Sequence, residues 1–156
     1  MQAKPGVVDF LNRHLTVELT AINSYFLQSA MAKNWGYGRL ASKFRELSMA
    51  EMKDSEELID HILYLEGLPN LQRLNDLAIG ETILECLQVD LEAEKAAVAL
   101  LAEAIAHCEQ VGDYTTRDIL TEMIRDEEEH VDWFETQLET IDQIGLQLYL
   151  SQQLHD

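Results

Sequence analysis

Proline and glycine are scarce, at two and seven in 156 residues. So few breakers leave room for long helices and speak against a chain made of many turns. No run of about 18 apolar residues occurs, which excludes a helical membrane span. The N-terminal stretch MQAKPGVVDFLNRH has no apolar segment of the secretory type, so the expected location is cytoplasmic. Positive charge is also in short supply. Only 11 Lys and Arg stand against 29 Asp and Glu, a formal net charge of −18. No basic face can be built from that, and direct binding to nucleic acid is not expected. Cys86 and Cys108 are the only cysteines, and neither belongs to a CxxC, so a rubredoxin-type iron site is absent. On one helix their Cα atoms would lie about 33 Å apart, far beyond the reach of a disulfide.

What remains is a helix-rich composition, 47% hydrophobic, sized for one domain over 1–156. Pro5 suits the first position of a helix running to about Lys33. The stretch Asn34-Trp-Gly-Tyr-Gly38 breaks it. A second helix is expected from about Arg39 to Glu66, a third from about Glu81 to Gln110, and a fourth from behind an Asp113 cap to about Ile144. Gly145 sets off a short fifth, Leu146 to about Leu154. The connections at 34–38 and 112–113 are short, so the helices they join are antiparallel neighbours. The connection Gly67–Gly80 can reach about 46 Å when extended, the full length of a bundle. The second and third helices can then run parallel. The expected fold is all-α, a ferritin-like four-helix bundle with one long crossover and a short C-terminal helix.

Apolar residues recur at steps of three and four along each helix, as a bundle core requires. Each line is interrupted near its middle by acid. The first reads Leu11, Leu15, Glu18, Ile22, Tyr25. The second reads Phe44, Leu47, Glu51, Asp54, Leu58, Ile62, Leu65. The third reads Leu84, Leu87, Leu91, Glu94, Val98, Leu101, Ile105, Cys108. The fourth reads Leu120, Ile124, Glu127, Val131, Phe134, Leu138, Ile141. In the acidic run RDEEEHVDWF, Glu127 therefore faces inward, Glu128 and Glu129 do not, and His130 shares the Glu127 face. A single buried, unpaired carboxylate costs several kcal/mol. Five together would repel and stay mostly protonated. No seam carries a lysine or arginine to neutralise them. A pair of divalent metal ions would, and glutamates on facing helices with Glu-x-x-His make the di-iron carboxylate pattern.

These residues are similar to those of the bacterioferritin family, and the likeness covers the whole chain. The segments ELTAINSYFLQS, ILYLEGLPNLQ, AIAHCEQVGDYTTRDIL, DEEEHVDWFETQL and IGLQLYL carry it. The resemblance implies iron storage in a hollow shell of 24 subunits, haem b between two-fold-related subunits, and a ferroxidase centre inside each bundle. By that resemblance Glu18 and Glu94 hold one iron each terminally, Glu51 and Glu127 bridge the two, and His130 completes the second. An electron-donor ferredoxin is a partner implied in the same way. Met52 lies about 100° around the helix from Glu51, off the seam, on a stripe with Ser48, Met49, Ser55 and Ile59. Its position alone reads as a subunit-contact methionine. The resemblance, through the frame Glu51-Met52-Lys53, implies a haem axial ligand, a soft donor suited to haem iron.

The chain departs from the family at Asp54, where the pattern Glu-x-x-His has its histidine. Asp54 keeps the seam position but is shorter and acidic. The site then holds five carboxylates against the four positive charges of two Fe(II). Either Asp54 ligates iron with altered affinity, or this subunit is a weak ferroxidase in a mixed shell with a complete companion. His14, one turn before Glu18, is set aside as a substitute because of its seam offset and its spacing of about 6 Å along the helix. The auxiliary inner-surface site of the family corresponds to Glu46 and Ala50, so half of it is missing. His61 and His107 are expected on the surface or at subunit contacts, and Trp35 and Trp133 in packing.

Overall fold

The computed structural model describes residues 1–155. Five helices follow one another: α1 (Val7–Asn34), α2 (Gly38–Tyr64), α3 (Ile83–Val111), α4 (Tyr114–Ile144) and α5 (Leu146–Ser151). Their local chemistry explains where they begin. The Thr82 side chain accepts from Glu85 N–H at 3.2 Å, and Glu85 accepts from Glu81 N–H at 2.8 Å, a capping-box arrangement at the start of α3. Asp113 caps α4 as expected, accepting from Thr116 N–H at 3.0 Å. The start of α1 differs from expectation. Gly6 takes φ +78°, a left-handed conformation that ends any helical continuity with Pro5, so α1 begins at Val7. A Cβ at Gly6 would also lie 2.6 Å from His107 Nε2. The fifth helix stops at Ser151 rather than Leu154.

Hydrogen bonds give the helix directions. The amino group of Met1 donates to Tyr64 O at 2.9 Å, and His107 Nε2 lies 2.7 Å from Pro5 O. The start of α1 and the ends of α2 and α3 therefore share one end of the bundle. The start of α4 joins them, because His61 Nε2 is 2.8 Å from Thr116 Oγ1. So α2 and α3 run parallel, and the chain between them must travel the whole bundle. It does so along α1. Asn12 donates to Leu68 O at 3.1 Å and accepts from Asn70 N–H at 2.8 Å. Thr20 accepts from Asn75 N–H at 3.0 Å, and Gln28 donates to Ile79 O at 2.8 Å. Each later crossover residue meets a later residue of α1. At the far end α5 folds back, with Arg39 N–H donating to Gln153 O at 3.0 Å and the buried Tyr149 hydroxyl donating to Gln137 at 2.8 Å.

The core is divided. One apolar cluster contains Tyr25, Phe44, Leu47, Leu87, Leu91, Phe134 and Tyr149. The other contains Leu11, Leu15, Leu58, Ile62, Leu101, Leu120 and Met123. On every long helix the residues between the two clusters are the acids and histidine that interrupt the seams. Some expected seam residues lie at the margin instead. Leu84, Val98 and Ile105 are half-buried, while Ala97, Ala104 and Asp90 are buried. The core face of α3 is broader than a single line of steps. His61, expected on the surface or at a subunit contact, is buried within the chain against Thr116 and holds the end of α2 to the start of α4. Both cysteines are free and buried on α3.

Candidate metal centre

Helical spacing sets the donors. Glu51 and Asp54, and Glu127 and His130, are three apart on α2 and α4, so each pair projects from one face. Glu18 and Glu94 come from the facing helices α1 and α3. Glu18, Glu51, Glu94 and Glu127 are each at most 3% exposed. Asp54 and His130 are half-buried, and Glu128 and Glu129 face solvent. The structure thus brings together all six residues singled out in the seams.

Their donor atoms fall into overlapping groups, each spanning no more than 4.8 Å. Glu51, Glu94, Glu127 and His130 form one; Glu18, Glu51, Asp54 and Glu127 form another. Glu51 and Glu127 belong to both, a placement compatible with carboxylates shared between two ions. Glu94 and His130 are peculiar to one side, Glu18 and Asp54 to the other. A third group joins His14, Glu18 and Glu127.

Hydrogen bonding leaves this layer unsatisfied. Both carboxylate oxygens of Glu18, and one each of Glu51, Glu94 and Glu127, are buried with no hydrogen-bond partner among the described residues. His130 Nδ1 stands 3.2 Å from Glu51 and 3.5 Å from both Glu94 and Glu127, also without hydrogen-bond alignment. Buried polar atoms are ordinarily paired, so a concentrated set of orphans facing one another is compatible with a cation held between them. The donor set, carboxylates with one or two imidazoles, suits iron. Glu94 also receives the Tyr25 hydroxyl, which orients it.

The electrostatics agree. Burial pushes Glu94 up to about 8, with Glu127 adding to the rise, and Glu51 to about 7. Burial and the neighbouring Asp126 carry Asp54 to about 6. Burial lowers His14. Burial also opposes protonation of His130, yet the surrounding carboxylates hold it well above the usual histidine value. Asp90, one turn before Glu94, is raised by burial to about 8 although Gln28 donates to it at 2.9 Å. Asp90 and Gln28 were not singled out in the sequence. Asp90 lies one position off the line Leu87, Leu91, Glu94, and only the breadth of the buried face reveals it.

A pH dependence follows for the metal-free protein. Between about pH 6.5 and 8 the folded state retains protons on Glu51, Glu94, Asp90 and His130 that the unfolded chain has lost. Stability therefore falls as pH rises through this window. His14 has the opposite sign, but its contribution is confined to pH below its ordinary value, where the unfolded chain gains a proton. The thermal midpoint of metal-free protein is expected to drop by several degrees from pH 6.5 to 8, and differential scanning calorimetry at fixed ionic strength measures it. Metal should reverse the trend, since binding requires deprotonated ligands. A flat profile without metal would mean the carboxylates titrate normally and the layer is not desolvated.

A cleft of about 180 Å³ opens beside this layer, between α1 and α3 beneath the crossover. Glu18, Glu94, Glu127 and Asp90 line it with Asn75 and Asp76 of the crossover.

A parallel-crossover bundle with a mid-core carboxylate and histidine layer defines a ferritin-like protein, and the ferritin-like domain model matches residues 8–144. The bacterioferritin of Mycobacterium tuberculosis is 46% identical over 152 residues, 97% of this chain and 96% of that protein. Those of Streptomyces coelicolor and Brucella melitensis are 42% and 41% identical, covering 97% and 96% of this chain and 90% and 92% of theirs. The chain belongs to the bacterioferritin family. Among the described residues, no helix is long and apolar enough to cross a membrane.

Proposed function

We propose that this chain stores iron and oxidises it on entry: a cytoplasmic ferroxidase subunit of a 24-subunit, haem-bearing shell. The observation that carries this reading is the layer of orphaned donors at mid-bundle, with Glu51 and Glu127 common to two groups. Two Fe(II) are the substrate. Glu94 and His130 hold one, Glu18 and Asp54 the other, and Glu51 and Glu127 lie between them. Each Fe(II) gives up one electron; dioxygen or peroxide accepts the pair, and the ferric product passes to the mineral. The buried carboxylates favour the higher charge of Fe(III) and so lower the barrier to its formation. The cleft beneath the crossover, lined by Asp76 and Asp90, offers an acidic approach for the cation.

Haem fits this chain at Met52. Its side chain is 49% exposed on the outer side of α2, beside Met49 at 56%. Met52 of one chain supplies one thioether, so ligation by this residue from both faces needs a second copy, as a two-fold interface would supply. Haem held there would provide a one-electron path between an external donor such as a ferredoxin and the stored iron. Ser48 and Ser55, expected on the same stripe, are buried, which leaves the two methionines as its exposed part.

Stopped-flow Fe(II) oxidation at two irons per subunit, beside an Asp54→His variant, tests the proposal. A fast phase in both proteins is expected, saturating at two irons per subunit. A fast phase in the variant alone would make the natural chain a haem-carrying shell subunit that relies on a companion for oxidation. Sedimentation velocity on the same samples checks for the shell.

A further inference from the structure

We infer that His14 is an iron ligand on the Glu18 side of the centre, supplying the imidazole that position 54 lacks. The inference rests on the di-iron reading above and concerns which residues complete it. His14 is fully buried at 0% exposure, on the inward face of α1. Its Nε2 lies 2.6 Å from Glu18 Oε1, but neither atom has a hydrogen-bond partner among the described residues. A nitrogen and an oxygen so close, and not aligned for hydrogen bonding, leave both donors open to one shared ion, which would part them by a few tenths of an ångström. Two bonds of about 2.0–2.1 Å at a right angle separate their donors by about 2.9 Å. Glu127, one of the two shared carboxylates, completes the group with His14 and Glu18.

The spacing of about 6 Å along a helix had counted against His14, but that figure measures backbone rise and not the reach of side chains. Side chains one turn apart lean along the same face, and a histidine at i meets a glutamate at i+4. The two halves of the centre then match. One has Glu94 and His130 with the shared carboxylates, the other Glu18 and His14. Asp54 is half-buried and is a further oxygen donor on that side rather than a stand-in for imidazole. A buried imidazole whose lone pair is free is a stronger and more selective iron donor than a second short carboxylate.

Anaerobic Co(II) titration of the full shell, followed by visible absorption and X-ray absorption, separates the cases. Wild type should bind two Co(II) per subunit, with an average of one imidazole per cobalt. His14→Leu should weaken one of the two sites at least about 10-fold and halve the imidazole count at saturation. His14→Leu combined with Asp54→His should restore both. Unchanged affinity and imidazole count in His14→Leu would overturn ligation by His14 and leave the di-metal centre standing. Failure of the double variant to recover would assign His14 a structural role instead. A wild type that takes up no cobalt removes both this inference and the centre itself.

Discussion

Glu94→Gln should slow the fast phase of Fe(II) oxidation by at least about 100-fold while making the metal-free protein more stable. Loss of supporting residues around a metal costs about 10–100-fold, and removing Glu94, proposed as a ligand to one ion, should cost no less. Glutamine keeps the shape of the side chain and can still accept the Tyr25 hydroxyl, so the packing of α1 against α3 is retained. What it removes is a carboxylate that burial has pushed up to about 8. In the wild type the folded protein bears the cost of ionising that group above the usual glutamate range, and the variant does not. The gain should be of order 4 kcal/mol at pH 8, about 10 °C in thermal midpoint, and should vanish below about pH 4, where Glu94 is protonated in both states. Stopped-flow absorbance and calorimetry read the two effects independently. A variant that oxidises iron at the wild-type rate would remove Glu94 from the centre. A variant destabilised at pH 8 would show that the carboxylate is paired structurally and not held in reserve for a cation.

Met52→Leu should eliminate the haem Soret band from shells reconstituted with excess haem, and leave the first turnover of iron oxidation unchanged. Leucine fills a similar volume, so the two-fold contact proposed at this face should survive, but it has no donor atom for haem iron. The loss is expected to be complete because, in the proposed two-fold arrangement, the substitution removes both axial ligands at once. Release of stored iron by an external reductant should slow in the same variant. Retention of haem at the wild-type level would move the axial ligand elsewhere. Slow initial oxidation would mean that Met52, although on the outer side of α2, affects the centre behind it.

The two variants probe features of different legibility. Glu94 announced itself, because an acid in an otherwise apolar line at helical steps has no cheap explanation. Met52 did not. Its exposed stripe is unremarkable in itself, and only the resemblance of the Glu51-Met52-Lys53 frame raised it. Asp90 was missed because a seam read as one line omits residues half a step away that a broad helix face still buries. His14 is set aside in the sequence for its seam offset and the helix rise, yet the broad buried face of α1 takes it in and side-chain reach, not rise, decides its distance to Glu18. His61 was misjudged for a related reason. A histidine near a helix end looks solvated until the start of another helix packs over it, as Thr116 does here.

Periodicity and composition alone were enough for the class of fold and for six members of the polar layer, Glu18, Glu51, Asp54, Glu94, Glu127 and His130. Scarce breakers, four long apolar lines and a connection of bundle length permit few arrangements, and each line marked its own acidic interruption. Those are properties of period and spacing within single helices. How donors from different helices combine is a property of their packing. Helix packing puts Glu51 and Glu127 in both four-residue groups, while Glu18 and Glu94 each belong to one of those two. Only the tertiary structure placed His14 against Glu18, laid the crossover along α1, and left a cleft beneath it. Helical periodicity fixes the direction of a side chain from its own axis, but the distance between two such side chains depends on the rotation and offset of both helices, which are set by packing of the two apolar clusters on either side.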